Sequence, residues 1–310
     1  MGEFTIHGGP RIFVVATPIG NLGELSPRAR EVLEAADLIA AEDTRVVRKL
    51  LSHLGLKGKK TLAYHDHGEA QTAQRLISEI LAEGQILALV SDAGTPCISD
   101  PGYHLISAAH AAGIPVHPVA GPSSPIALAS VAGLAASRFT FVGFLPRSAR
   151  DLTAEISSWR NTFGGRSGSV IFLESPRRLS KTLTRIAAVH PDARVAVGRE
   201  LTKLHEEVVV GDVGQIAAWA EAHASLRGEA VVMVELGRSA SGGASASDAA
   251  GQPAGIDAET DPEDLREILM ERLRAGSSVK DLLQEFTSDE LPRKSLYRLL
   301  LDLRAELGRS

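Results

Sequence analysis

Cysteine is nearly missing: Cys97 is the single one in 310 residues. That excludes a disulfide framework and a cysteine-rich zinc site, and it fits a reducing cytoplasmic home. Aromatic residues make up 4% of the chain, too few for a platform on which single-stranded bases would stack. No apolar run reaches about 18 residues and no signal peptide opens the chain, so neither a membrane span nor Sec export is expected. Positive charge is not in excess either. Lys and Arg number 33 against 38 Asp and Glu, a net charge of −5. Nucleic acid would therefore have to meet a local patch rather than a global basic field. What remains, 44% hydrophobic and 23% charged, is the composition of a globular chain long enough for two cores and an appendage.

The stretch LVSDAGTPCISDPGY, Leu89 to Tyr103, organises the rest. The apolar run Ile86 to Val90 reads as a strand buried on both faces. It ends in Ser91, Asp92, Ala93, Gly94, Thr95 and Pro96, and a second turn cluster, Ser99 to Gly102, follows at once. Glycines that permit positive φ and prolines that fix φ make this a rigid turn. At the carboxyl end of a parallel strand such a turn grips a ligand. The plainer alternative is an ordinary strand-to-helix loop closed by two prolines.

Three similar turns share the first part of the chain. Arg11 to Ala16 is a strand running into Thr17-Pro18-Ile19-Gly20-Asn21, and Ser26-Pro27 opens a helix as N-cap and first residue. GNLG lacks the GxGxxG spacing of a dinucleotide site. Asp37 to Ala41 is a strand ending in Glu42-Asp43-Thr44-Arg45, either acidic capping or part of a cleft. Ile114 to Val119 leads to Ala120-Gly121-Pro122-Ser123-Ser124-Pro125 at another helix start, where plain N-capping competes with a ligand role. A third strand, Thr61 to Tyr64, precedes His65-Asp66-His67-Gly68-Glu69. His-x-His beside a carboxylate invites a metal, but no third ligand is legible, and none is expected. Strands and helices alternate through residue 133, which implies a mostly parallel sheet.

From Phe139 strands follow one another closely, so a mixed sheet in a second α+β domain is expected. Its strands are placed at Phe139–Phe144, Ser169–Leu173, Arg194–Gly198, His205–Val210 and Ala230–Glu235. The division is a disordered leader (1–10), an N-terminal α/β domain (11–137), a second α+β domain (138–236), a flexible linker (237–259) and a helix–turn–helix-like module (260–310). Residues 259–291 hold ten acids and four bases, whereas 293–309 hold Arg293, Lys294, Arg298, Arg304 and Arg309 against two acids. That puts positive charge where a recognition helix would carry it; a solvated helix or a dimerisation arm is the alternative.

The strings VATPIGNLGELSPRA, LIAAEDTR, HDHGE, LVSDAGTPCISDPGY, AGPSSPIAL, FVGFLP and RELTKLHEE together resemble the ribosomal RNA small subunit methyltransferase I family, within the tetrapyrrole methylase superfamily. They keep the family's order over residues 11–236. The resemblance implies a two-domain tetrapyrrole-methylase-like fold. It also implies 2′-O-methylation of a cytidine ribose in 16S rRNA, S-adenosylmethionine as donor, and a homodimer. It places the donor between the domains, against Pro18, Asp92, Ala93, Gly94, Thr95, Ile98, Ser123, Ser124, Leu173, Glu174 and Leu201. FLESP replaces a FYEST-like string, so an aromatic contact at position 173 is absent.

A ribose hydroxyl is a poor nucleophile until its proton is taken, so a general base is expected. Glu42, Asp43, His65, Asp66, His67, Glu69 and Asp92 are candidates, and the sequence does not choose among them. Arg45, Arg147, Arg177 and Arg178, with Arg293, Lys294 and Arg298 of the last helix, are candidates for RNA phosphates. Two alternatives stay open: a methylase of a tetrapyrrole or other small acceptor, and a non-catalytic RNA-binding assembly factor.

Overall fold

The computed structural model describes residues 6, 8–65, 69–164, 166–223 and 228–237, and beyond them 266, 269–270, 273, 278–286 and 293–307. Most of the expected leader, the expected linker from residue 238 on, Asp66 and His67, the side chains of Glu69 and Arg293, and most of residues 260–277 of the expected terminal module lie outside the described residues.

Five strands form the first sheet: β1 (Arg11–Val15), β2 (Leu38–Ala41), β3 (Lys60–Ala63), β4 (Ile86–Val90) and β5 (Val116–Val119). Their order is β3-β2-β4-β1-β5, and every pairing is parallel. All five residues of β4 are buried, as a strand covered by helices on both faces requires. Alternation along β1 explains the two layers. Phe13 and Val15 pack with α1 (Pro27–Ala35) and α2 (Thr44–His53), whereas Ile12 packs with α3 (Glu69–Glu83) and α4 (Tyr103–Ala111). Ser26 caps α1 by accepting from the N–H of Ala29 at 3.1 Å, and Pro27 occupies the first turn, where its missing N–H costs nothing.

The second sheet is mixed, as the sequence implies. β6 (Phe139–Phe144), β7 (Gly168–Glu174), β8 (Arg194–Arg199), β9 (Glu207–Asp212) and β10 (Ala230–Leu236) run in the order β6-β7-β10-β8-β9. Only β6 and β7 are parallel to one another. β9 starts two residues later than the sequence suggests, because the chain first curls: Lys203 N–H donates to Glu200 O and Glu206 N–H to Lys203 O. One face is covered by α6 (Ala149–Thr162), α7 (Pro176–Val189) and α8 (Val213–Ala222). The other receives α5 (Ser124–Val131): Leu128 packs with Ile171, Ala196, Val231 and Met233. Helix α5, which begins at the third turn of the first layer, is thus buried against the second sheet and leaves a cleft at its N-terminus.

Trp159 is the largest fully buried side chain. Its ring lies 5.9 Å from Phe172 and 6.2 Å from His190, and its N–H donates to Glu155 Oε1. Trp159→Ala should therefore cost about 3–5 kcal/mol, read as a lowered denaturation midpoint; a loss below about 1 kcal/mol would show that this core does not pack as described.

The terminal unit has a core of its own. α9 (Val279–Phe286) and α10 (Arg293–Leu307) share a small core in which Leu282 and Leu283 meet Leu296, Leu300 and Leu303. Among the described residues no helix is long and apolar enough to cross a membrane.

Candidate functional site

β1 and β4 are neighbours whose chains leave toward opposite sides of the sheet, β1 toward β2 and β4 toward β5. Ligands bind at such a switch point, beyond the carboxyl ends of the strands. Here the two turns are tied together: Thr17 N–H donates to Gly94 O at 2.8 Å, and Gly94 N–H returns to Thr17 O at 3.1 Å. Thr95 Oγ1 braces the third turn by donating to Pro122 O at 3.3 Å. Gly94 sits at φ +83°, and the non-glycine residues Cys97 and Ser99 sit at φ +69° and +67°, a concentration of costly backbone typical of ligand clamps. Gly102 is required on space alone, since a Cβ there would stand 2.4 Å from Cys97 Sγ.

These turns form one side of a cavity of about 350 Å³. Of the expected donor residues, Asp92, Ala93, Gly94, Thr95, Ile98, Ser123, Ser124, Leu173 and Leu201 line it. Ser123 makes no side-chain capping bond to α5, so plain N-capping does not account for its hydroxyl. Two expected residues lie elsewhere. Ile19, not Pro18, is the lining residue of the first turn. Glu174 is 3% exposed and turns into its own layer. There its oxygens accept from Ser175 N–H and Thr182 Oγ1, both at 2.8 Å, and pair with Arg178 at 3.3 Å. Burying a carboxylate demands such partners, and having them it is not available to a ligand. Arg178 is withdrawn from the phosphate-binding set for the same reason, because its guanidinium also donates to Pro146 O at 2.8 Å. Arg147 and Arg177 are exposed.

The second sheet adds residues that sequence reasoning missed. Phe141 and Phe144 of β6 line the cavity and supply the aromatic surface that position 173 lacks. Glu200 and Lys203 line it too. Glu200 and Thr202 take φ +48° and +68°. That turn is held by the Glu200 carboxylate, which accepts from Glu229 N–H at 3.0 Å and Lys203 Nζ at 3.1 Å. Burial works to raise the Glu200 pKa, but these donors outweigh it and hold it below the usual range.

A second, more open cavity of about 420 Å³ adjoins the first. Glu42, Asp43, Thr44, Arg45, Ala63, His65 and Asp92 line it, and Glu42 and Asp92 line both. Asp43 caps α2, accepting from Arg45 N–H at 2.8 Å, and its carboxylate grips the Arg45 guanidinium at 2.6 Å. That hydrogen-bonded pairing lowers the Asp43 pKa to about 2, which makes Asp43 a weak base. Asp43 N–H also donates to Asp92 Oδ1 at 3.0 Å, locking the turn after β2 to the turn after β4. Among the described residues no three His, Cys, Asp or Glu side chains are placed to hold a metal. The arrangement is an amphiphilic pocket opening, past two carboxylates, into a polar one.

The family model for tetrapyrrole (corrin/porphyrin) methylases matches residues 11–217. The ribosomal RNA small subunit methyltransferase I of Xylella fastidiosa is 42% identical over 291 residues, 92% of this chain and 97% of that one. That of Mesorhizobium japonicum is 38% identical, over 96% and 94%. The crystal structure of diphthine synthase superimposes with a TM-score of 0.55 at 15% identity, over 73% of this chain and 89% of that one, which speaks for the fold. The chain therefore belongs to the tetrapyrrole methylase family and, within it, to the ribosomal RNA small subunit methyltransferase I family.

Proposed function

We propose that the chain methylates the 2′-oxygen of a cytidine ribose in the 16S rRNA of the small ribosomal subunit, with S-adenosylmethionine as donor. The observation that carries this reading is the pair of cavities meeting at Glu42 and Asp92. The first, between the two sheets, has what the donor needs. Ile98, Phe141, Phe144 and Leu201 offer apolar and aromatic surface for a purine, and Ser123, Ser124 and Asp92 offer polar groups for a ribose and an amino acid. When bound there, S-adenosylmethionine supplies an electrophilic methyl group on a sulfonium.

The residues of the chain align and deprotonate. Gly94 and Ala93 bring backbone close to the ligand, and the bridge to Thr17 keeps that backbone from yielding. Positioning of this kind is the main catalytic lever in a direct displacement. Asp92 lies where the cavities join, its Oδ1 fixed by Asp43 N–H, and takes the proton of the ribose hydroxyl. His65 and Glu42 shape the acceptor side. Arg45, held by Asp43 and 84% exposed, meets a phosphate beside the acceptor nucleotide. The same reading has residues 11–137 and 138–236 act as two lobes on one donor, in a cytoplasmic homodimer, with exposed Lys294 and Arg298 of α10 aiding RNA contact.

If both lobes hold one ligand, donor at a hundredfold excess over its Kd should stabilise the fold by about 2.7 kcal/mol. Thermal melts with and without S-adenosylmethionine measure this. Absence of any shift at saturating donor contradicts the reading and favours a non-catalytic RNA-binding factor.

A further inference from the structure

Between Thr44 and Thr61 the chain carries Arg45, Arg48, Lys49, Lys57, Lys59 and Lys60 and not one Asp or Glu. In a protein of net charge −5 this is a local reversal of sign, and the fold gathers it on one surface. Val47, Leu50 and Leu51 turn α2 onto the first sheet, so Arg45, Arg48 and Lys49 stand on the opposite, exposed face. The loop after α2 turns at Gly55 and Gly58, at φ +74° and +75°, and presents Lys57. Lys60 opens β3, an edge strand of the sheet.

Two of the six cations have internal duties. Arg45 is bound to Asp43, and Lys59 reaches the carbonyls of Glu34 and Ala36 at the C-terminal end of α1. Arg48 is steadied by donating from Nε to Thr61 Oγ1 at 3.1 Å. Among the described residues Arg48, Lys49, Lys57 and Lys60 have no carboxylate partner. The surface they form begins at the second cavity, which Thr44, Arg45 and Ala63 line, and α2 carries it about 15 Å away from there.

We infer that the exposed face of α2 and the turn into β3 dock the sugar–phosphate backbone of the RNA strand flanking the acceptor nucleotide. The inference rests on the proposed function and adds the surface on which the substrate lies. Cations spaced along a helix and an edge strand, with no aromatic side chain among them, suit phosphates rather than bases. Such contacts set register and affinity without reading sequence.

The test compares full-length protein with a Lys49→Gln, Lys57→Gln, Lys60→Gln variant. Affinity for small ribosomal subunits is measured across a KCl series, and S-adenosylmethionine binding by calorimetry. The variant should bind subunits at least tenfold more weakly at low salt. Its log–log salt slope should be shallower by about 0.7–0.9 for each phosphate that the variant no longer neutralises, with donor affinity unchanged. Should the triple variant fail to fold, Lys57→Glu in the open loop should lower the slope by about one such step. Unchanged slope and affinity, with wild-type protein still methylating subunits, overturns the inference and leaves the functional reading intact. Wild-type protein that neither binds nor methylates subunits overturns both.

Discussion

Gly94→Val is expected to weaken S-adenosylmethionine binding by about a hundredfold and leave the protein folded. Gly94 sits at φ +83°, a region that a β-branched residue enters only at a cost on the order of 1–3 kcal/mol. An added Cβ meets nothing closer than Ile19 Cγ2 at 3.6 Å, so the substitution does not break the core. Its harm falls on the ligand. The valine methyls extend into a cavity that Gly94 lines, and any relief of strain shifts the backbone that Thr17 holds in place. At about 1.4 kcal/mol per tenfold, a loss of 2–3 kcal/mol is a factor near a hundred. A domain with 5–15 kcal/mol of stability survives the strain. Calorimetric titration decides it, and unchanged affinity would remove this loop from the donor site.

The second large effect is expected at Asp92. Asp92→Asn keeps the shape of the side chain and an oxygen that can still accept from Asp43 N–H, so the bond between the two turns persists. What it removes is the capacity to take a proton. General-base catalysis contributes about 10²–10⁴-fold, so kcat should fall by that order while donor affinity changes less than about tenfold. The same measurement on Asp43→Asn separates the roles. Its carboxylate, held near pKa 2 by Arg45, is already a weak base, so its loss should act on RNA affinity more than on kcat. Full activity in Asp92→Asn would transfer the proton-accepting role to Glu42 or His65.

Much of this site is legible in the sequence because it is written in local chemistry. Gly94, Gly102 and the prolines around them announce a rigid turn, and a fully apolar β4 announces the parallel sheet beneath it. The misses have a shared cause: side-chain direction at strand ends depends on register, and register is set far away in sequence. Glu174 is expected to face the cleft, yet pairing with β10 and the reach of Thr182 from α7 turn it inward. Phe141 and Phe144 are three residues apart, which regular alternation puts on opposite faces. The register of β6 shifts between them, and Gly143 at φ +65° makes the break, so both reach one cavity. Glu200 and Lys203 are hidden in the sequence because their turn uses left-handed backbone without a glycine to mark it. The cations of α2 can be counted in the sequence; that they share a face follows only once Val47, Leu50 and Leu51 are seen buried.

On the proposed reading, a donor held between two sheets at the β1–β4 switch point is presented to a ribose hydroxyl of the small-subunit RNA. The most direct test of that reading is incubation of the purified protein with unmodified small ribosomal subunits and S-adenosylmethionine labelled in the methyl group, followed by mapping of the labelled nucleotide. Label is expected at a single cytidine of 16S rRNA, on the ribose, in an alkali-stable dinucleotide, and should fall sharply with Gly94→Val at sub-saturating donor. Label on a base, label on a tetrapyrrole offered in competition, or donor binding with no transfer to RNA would contradict that reading.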